Sequence, residues 1–394
     1  MQALIIILLA IILYLSQAIY FSKHWTDNLS ANISFSKTHA KIGDSVDLFI
    51  ELTNKKRLPL PVLYVKFKTS RTFLHQTTEN SAVSDYYYRN DVFSILGNQQ
   101  VKRSLTFTTT KRGYFTIDTI NMVVNDMFFR RSGGCNLSNH CALYVFSDTL
   151  YGRKELQLTK TLIGDILTKN LYADPLSFRG IRNYTTSDEM RYINWKSSAK
   201  QQALMVNTYF DTQTTSVVLI ANFDTHTMIH KDQTREYIVK LCATLIESMN
   251  KQHFALQLLS NAPDIVTGLS VTTEMGSGNE HVKTLCEALA RVNITDSLSN
   301  ILDYFEGSQS AFTGQMSGVS YVVVSNYRKQ DLLLAYHARQ QEGYSMYFVC
   351  PDKPENFAKN EFYAAQPTST KDNDRYQYLP LHNIYLWEVL PDEI

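Results

Sequence analysis

The sequence predicts an α+β multidomain protein with an N-terminal transmembrane helix, a small β-sandwich and a doubly wound α/β domain. Residues 1–22 contain no charged side chain, and residues 29–146 alternate apolar and polar positions in short runs. From residue 216 onward, continuous apolar runs alternate with segments of helical periodicity. A chain of 394 residues with 44% apolar content is long enough to form two packed cores.

Charge and cysteine content narrow the classes of function. Lys and Arg number 38 against 37 Asp and Glu, which leaves a net charge of +1. No global field therefore attracts a polyanion, and we predict no nucleic-acid partner. The five cysteines are scattered and include no C-x-x-C pair, which is typical of reduced thiols in a cytosolic compartment.

The first 22 residues are apolar over about the length that crosses a hydrocarbon core of roughly 30 Å. We interpret 1–22 as a transmembrane anchor. A cleaved signal peptide is the alternative, because residues 16–18 (Ser-Gln-Ala) resemble a cleavage site, but the basic n-region is missing. Lys23, Lys37 and Lys41 follow the span. The positive-inside rule then predicts a single-pass protein of the cell membrane with its soluble body in the cytoplasm.

Residues 29–146 are predicted to form the β-sandwich module. Runs such as "SVDLFIELT" and "VLYVKFKTS" have the period of two that strands require. Turn residues separate them at Gly43-Asp44, at 54–61 and at Arg112-Gly113. The segment 130–140, "RRSGGCNLSNH", has the composition of a surface loop and is predicted to end the module.

Residues 147–210 are predicted to form a linker that carries a basic aromatic motif, and 211–394 the α/β domain. "SVVLIANF" at 216–223 has the continuous apolar character of a strand buried on both faces. The helix "REYIVKLCATLIESMN" and the strand "HFALQLLS" follow it, and the βα alternation continues to "YSMYFVC", before a polar tail.

The β module carries the motifs "TNKKRLPLP", "KRGYFTI" and "NDMFF". They resemble the basic proline turn, the strand start and the aromatic exit of the bacterial domain-of-unknown-function family 58. The strongest similarity is "GIRNYTTSDEMRYINWKSSAK" at 180–200, here called the basic aromatic motif. The positions that match the family pattern there are Arg182, Tyr184, Asp188, Arg191, Trp195, Lys196, Ser198, Ala199 and Lys200. Ser187, Asn194 and Asn207 replace the usual glycine, acid and base.

The basic aromatic motif also has an interpretation from its residues alone. Thr186 and Glu189 have capping-box spacing, which predicts a short helix beginning there. Arg182 and Arg191 can pair with the acids of its first turn. The motif then either braces the two domains or docks a partner. We expect Trp195 to be a buried anchor, while Lys196 and Lys200 remain available to an acidic partner.

The α/β domain resembles the von Willebrand factor A fold, whose metal site uses Asp-x-Ser-x-Ser, a threonine and a second aspartate. In "DTHTM", Asp224 is present, but His226 and Met228 stand at the serine positions. Ser325-Asn326 replaces the later Thr-Asp pair. Because these ligands suit magnesium poorly, we predict no metal and no cofactor.

These observations favour a membrane-anchored interaction or assembly factor over an enzyme. The family resemblance implies partnership with a MoxR-type AAA+ ATPase and with membrane transglutaminase-like proteins. A metal-dependent adhesion module with a degenerate site is one alternative. A cysteine hydrolase that uses Cys141 beside His140 is another, and it needs partners that the sequence does not reveal.

Overall fold

The structure, a computed structural model, divides the chain into two compact units, residues 1–148 and 149–394. Each unit has its own hydrophobic core. The described residues are 2–75, 81–125, 132–169, 171–185, 188, 190–213, 216–225, 231–295, 298–306, 312, 318–352, 363–367 and 376–388.

Helix α1, Gln2–His24, opens the first unit. Within the described part of the chain it is the one helix long and apolar enough to cross a membrane, with a mean hydropathy of 1.4 over Ile7–His24. Leu9 and Leu13 are more than 60% exposed, whereas Phe21 is buried in the core of the first unit. The predicted apolar span is thus a helix, and its C-terminal end packs against the β-strands of the same unit.

Ten strands make up the β module, residues 29–146. They are β1 Leu29–Phe35, β2 His39–Lys41, β3 Ser45–Asn54, β4 Leu60–Thr69, β5 Phe73–His75, β6 Ser81–Val83, β7 Tyr87–Ile95, β8 Gln99–Thr109, β9 Gly113–Asn125 and β10 Ser132–Phe146. One sheet has the order β1-β3-β8-β5, and the other has the order β2-β10-β9-β4-β7-β6. All neighbours pair antiparallel except β2 and β10.

The two sheets share one core, as the layers of a β-sandwich do. The alternation of apolar and polar residues along the strands supplies this core. In β3, every second residue is buried, including Leu48 and Ile50. Leu63 and Val65 of β4 contribute from the other sheet. The period of two in the sequence therefore identified the inward faces.

The segment 130–140 is not a terminal loop. Residues 130 and 131 lie outside the described residues, and from Ser132 onward the segment is part of the long strand β10, which pairs with β9. Asn139 is buried at a bulge in this pairing, where its side chain hydrogen-bonds the backbone of Ile33 and Ile117. Composition indicated a loop, but the tertiary pairing satisfies the polar groups and the strand continues.

The second unit contains five helices and ten strands in its described residues. They are α2 Arg153–Lys169, β11 Leu171–Asn183, α3 Trp195–Gln201, β12 Met205–Gln213, β13 Ser216–Asn222, α4 Lys231–Asn250, β14 Ala255–Pro263, β15 Ser270–Thr272, α5 Asn279–Arg291, β16 Val319–Ser325, α6 Gln330–Gln341, β17 Ser345–Asp352, β18 Tyr363–Pro367, β19 Tyr376–Pro380 and β20 Ile384–Glu388.

The main sheet of this unit has the order β15-β14-β13-β16-β17-β20, with only β15 antiparallel to its neighbour. Helices cover both faces. Val217 and Leu219 face a core with α2, α4 and α5, whereas Val218 and Ile220 face a core with α6. This is a doubly wound α/β arrangement.

Two segments hold more regular structure than the sequence indicated. Residues 147–210, interpreted as a linker, contain α2, α3 and most of the antiparallel pair β11 and β12. Helix α2 buries Leu162 and Ile166 in the α/β core, which is a tertiary contact that the sequence pattern does not reveal. In the polar tail, β20 joins the main sheet parallel to β17.

Candidate functional site

Three buried polar side chains meet at the carboxyl edge of the main sheet. Asn222 ends β13, Asn261 lies in β14 and Ser325 ends β16, and all three have an exposed fraction of 0%. Asn222 Nδ2 donates to Ser325 Oγ at 2.9 Å, and Asn261 Nδ2 donates to Asn222 Oδ1 at 2.9 Å. Asn261 Oδ1 accepts the Phe223 N–H at 2.9 Å. We call these three side chains the amide network.

Asp224 adds a carboxylate above the amide network. Its Oδ2 accepts from Asn261 Nδ2 at 3.2 Å, and its N–H donates to Asn222 Oδ1 at 3.0 Å. Burial raises the pKa of Asp224, while the positive charges of Arg235, Lys231 and Lys329 lower it. This edge is where doubly wound sheets bind ligands, so Asp224 has the right position for a functional group.

The expected metal-site positions are only partly described. His226 and Met228 lie outside the described residues. Ser325 Oγ accepts from Asn222 and from the Tyr327 N–H, and Asn326 Nδ2 donates to the Pro351 carbonyl at 2.7 Å. Among the residues that the structure describes, no three His, Cys, Asp or Glu side chains group as metal ligands.

The predicted pairing of Arg182 with an acid occurs in the basic aromatic motif. The guanidinium of Arg182 donates to both oxygens of Asp188, at 2.7 and 2.6 Å. Asp188 also accepts from the N–H and hydroxyl of Thr185, each at 2.8 Å. These contacts, the Arg182 hydrogen bonds first, hold the pKa of Asp188 well below its usual range. The Tyr184 N–H donates to the carbonyl of Leu204, the residue before β12, at 2.8 Å.

The helix start predicted at Thr186 cannot be compared directly, because the structure describes the motif's helices only from Met190 onward. Thr186 and Glu189 lie outside the described residues, and α3 begins at Trp195 with Asn194 as its N-cap. Asn194 Oδ1 accepts the Ser197 N–H at 2.9 Å, which satisfies one of the free donors at the helix start. A 3-10 helix, Met190–Tyr192, precedes α3.

Two departures from the family pattern contact each other. Asn194 stands where the family has an acid and Asn207 where it often has a base, and Asn194 Nδ2 donates to Asn207 Oδ1 at 2.8 Å. An amide pair thus occupies the place that an acid and a base would fill. The hydrogen bond between these two uncharged amides connects the start of α3 to β12.

Trp195 is not a buried anchor. Its exposed fraction is 68%, and that of Met190 is 74%. Lys196 and Lys200 are exposed, as expected, and the Arg191 guanidinium lies 4.8 Å from the centre of the Tyr192 ring. The residue pattern alone did not reveal that Trp195 is exposed.

Cys141 is held in a setting that favours the thiol. It lies in β10, accepts a hydrogen bond from Asn139 Nδ2 at 3.4 Å and contacts the Ile117 carbonyl at 3.9 Å. Burial raises the pKa of Cys141 to about 11, so little thiolate forms at neutral pH. The adjacent His140 is exposed on the strand.

Comparison with protein families identifies the region that holds both sites. Residues 180–335 match the family described as protein of unknown function DUF58. This stretch belongs to the DUF58 family. The DUF58 region runs from the basic aromatic motif into α6, so it includes the amide network, and the resemblance inferred from the motif is confirmed. No curated protein matches the chain.

Solved structures show only remote similarity. The CARDB domain of a Pyrococcus furiosus protein, solved with di-metal ions, is 12% identical over 30% of this chain and 94% of that one, with a TM-score of 0.21. A non-cellulosomal cohesin from Archaeoglobus fulgidus is 10% identical over 32% and 96%, with a TM-score of 0.21. A type II cohesin from Acetivibrio cellulolyticus is 13% identical over 29% and 95%, with a TM-score of 0.22. Scores this low carry no argument about fold or ligand.

Sequence reasoning missed the amide network. The sequence does contain a pattern that could have predicted the network: Asn222 ends the apolar run "SVVLIAN", and Asn261 ends "LQLLSN". A polar residue at the end of a strand that is buried on both faces must find partners inside the protein. Only the side-by-side placement of β13, β14 and β16 showed that the partners are one another.

Proposed function

We propose that the chain is a membrane-anchored protein-interaction or assembly factor whose DUF58 region contacts a partner through the surface of α3. The exposure of Trp195 is the observation that carries this proposal. Tryptophan is costly to leave in water and is enriched among residues that dominate protein interfaces. Lys196 and Lys200 beside it favour a partner with an acidic face.

We also assign a von Willebrand factor A-like fold to the α/β unit. The doubly wound order, with Asp224 in the loop after the central strand β13, supports this assignment. The amide network fills the same edge with neutral groups that bond to one another. This supports a binding role over a metal-dependent one.

The partner in this proposal is a MoxR-type AAA+ ATPase, as the family resemblance implies. Helix α1 anchors the chain, and Lys23 at its end supports a cytoplasmic body. The ATPase would then meet the DUF58 region in the compartment where ATP is available.

Binding of the purified ATPase from the same organism tests the interaction. We expect Trp195→Ala, and separately Lys196→Glu with Lys200→Glu, to weaken binding at least tenfold while the thermal melt stays near that of wild type. The control is Lys160→Glu with Lys283→Glu, which reverses two exposed charges on α2 and α5. Unchanged affinity in both α3 variants, or an equal loss in the control, would refute the role of α3.

Protease protection tests the anchor and its orientation. In intact cells an external protease should leave the soluble body uncut, and the mature chain should retain residues 1–22. Digestion of the soluble body by the external protease would indicate the opposite orientation, with that body outside the cytoplasm. A mature chain that begins near Ile19 would make the apolar segment a signal peptide instead.

A further inference from the structure

The end of α1 is built into the β module. Phe21 and Trp25 are each 5% exposed and belong to the module's core, and the Trp25 N–H donates to the Phe21 carbonyl at 3.0 Å. At Gly133 of β10, a Cβ atom would lie 2.6 Å from Trp25 Nε1, so the strand approaches the indole closely. Lys23, between them in sequence, is the first charge after the apolar segment. The point where α1 leaves the membrane is thus also the point where the module begins.

Two turns of the module lie at this same end. The Lys55 N–H donates to the Asn28 carbonyl at 3.0 Å, directly after α1. The Asn98 N–H donates to the Lys56 carbonyl at 2.9 Å, which joins the turn after β7 to the turn after β3. Buried Asn54 fixes both, because its Nδ2 donates to the carbonyls of Leu58 and Leu96. We call residues 23–28, 54–58 and 96–98 the base of the β module.

The base is basic. Lys23, Lys55 and Arg57 are exposed. The Lys56 ammonium is enclosed, and burial lowers the pKa of Lys56 more than nearby Asp27 raises it. Among the described residues of the base, Asp27 is the one acid, and it contacts His24 Nδ1 at 2.7 Å.

An apolar side chain accompanies these charges. Leu96 is 64% exposed in the turn that packs on Lys56. Gly97 allows that packing, since a Cβ atom there would lie 2.4 Å from the Arg57 carbonyl oxygen. Exposed cations around an exposed leucine match a membrane interface, where phosphates meet the ends of acyl chains.

We propose that the base of the β module docks on anionic phospholipid headgroups of the leaflet from which α1 emerges. This inference rests on the proposed anchor. Lys23, Lys55 and Arg57 contact lipid phosphates, and Leu96 enters the headgroup layer. The occupant is a lipid surface, because the base adjoins the membrane exit of α1 and its charge complements an anionic leaflet.

Hydrogen exchange of the full chain in lipid nanodiscs tests the proposal. One set of discs contains phosphatidylcholine alone, and the other contains added phosphatidylglycerol. We expect amides of 55–58 and 96–98 to exchange several-fold more slowly in the anionic discs. The difference should disappear at high salt, since screening weakens surface charge attraction.

Matched variants separate a specific contact between the base and lipid from a general effect of removing positive charge. Lys23→Gln with Lys55→Gln and Arg57→Gln should abolish the difference between the discs. Lys41→Gln with Arg71→Gln and Lys111→Gln should preserve it, because these exposed cations lie at the opposite ends of the strands. Exchange in β3 reports whether each variant is folded.

Two results would overturn the proposal, and they differ in whether they also overturn the proposed membrane anchor. If the chain inserts into both kinds of disc and the base exchanges equally in them, lipid docking is wrong and the anchor stands. If the chain inserts into neither, the anchor and the docking surface both fail.

Discussion

Two buried polar clusters, one in the β module and one in the α/β unit, differ in whether their side chains carry charge. In the β module, Arg89 and Asp91 point inward from β7 with exposed fractions of 5% and 1%, and Arg89 Nε donates to Asp91 Oδ2 at 2.8 Å. Arg103 adds a second contact to Asp91 at 3.2 Å. In the α/β unit, the amide network buries Asn222, Asn261 and Ser325 without any charge of its own.

This difference shows two ways of limiting the cost of burying polar atoms. A buried charge is tolerated only while its counter-charge is present, so removal of one partner is expensive. A neutral amide needs only hydrogen bonds, and loses one partner at a time. The charged cluster around Asp91 should therefore respond more strongly to a single polar substitution than the amide network does.

Removal of the central charge of the β module should have the largest effect. Asp91→Asn keeps the shape of the side chain but takes the counter-charge from Arg89 and Arg103, so we expect a loss of about 3–5 kcal/mol in the free energy of unfolding. Hydrogen exchange of β7 and β8 amides measures it. The control is Glu51→Gln, which breaks a half-exposed pair with Lys102 and should cost less than about 1 kcal/mol. Equal losses would contradict the comparison.

Disruption of the amide network should cost less. Asn261→Leu leaves the Phe223 N–H without its partner, while Asn222 Oδ1 keeps the Asp224 N–H, so we expect a loss of about 1–3 kcal/mol. Urea denaturation followed through Trp387, which is buried in that unit, measures it. Asn250→Ala, which removes an exposed amide bond to Asn279, is the matched control and should have little effect. A loss above that of Asp91→Asn would reverse the ranking.

Acid should destabilise the β module through His75. Burial, and then the charge of Arg89, lower the pKa of His75 to about 4. The unfolded chain therefore takes up the proton first, and stability that is complete above about pH 6.5 is lost as the pH falls toward 4, by on the order of 2 kcal/mol. His75→Phe keeps an aromatic ring against Tyr87, whose centre lies 4.2 Å away, and should flatten this dependence. Unfolding measured at several pH values tests it, with exposed His140→Gln as the control. An unchanged slope in His75→Phe would assign the acid sensitivity to another group.

The smallest expected effect concerns the Asp224 edge. We predict that millimolar magnesium or manganese leaves the melting temperature of the α/β unit unchanged, because a ligand that binds only the folded state raises stability by mass action. Calorimetry of wild type and Asp224→Ala checks this. A metal-dependent rise in wild type that is absent in Asp224→Ala would restore the metal-dependent adhesion alternative.

The period of the apolar residues made much of the fold predictable. Alternation in "SVDLFIELT" located β3, and the continuous run "SVVLIANF" located β13, because burial on one or both faces leaves a direct pattern in the sequence. The Arg182–Asp188 pair was predictable for a similar reason, since the two residues are close in the chain. The exposure of Trp195 was not predictable from the sequence, because it depends on which other elements cover the side chain.

The sequence by itself determined the apolar segment at the N-terminus, the βα alternation and the similarity of residues 180–335 to the DUF58 family, since each depends on local composition, periodicity or motif. Only the tertiary structure decided which distant polar groups meet. It placed Asn222 beside Asn261 and Ser325 through strand order, and it brought residues 54–58 and 96–98 to the end of α1. Hydrogen bonds and charge pairs act over a few ångströms, so they depend on the packing of elements that are far apart in the chain.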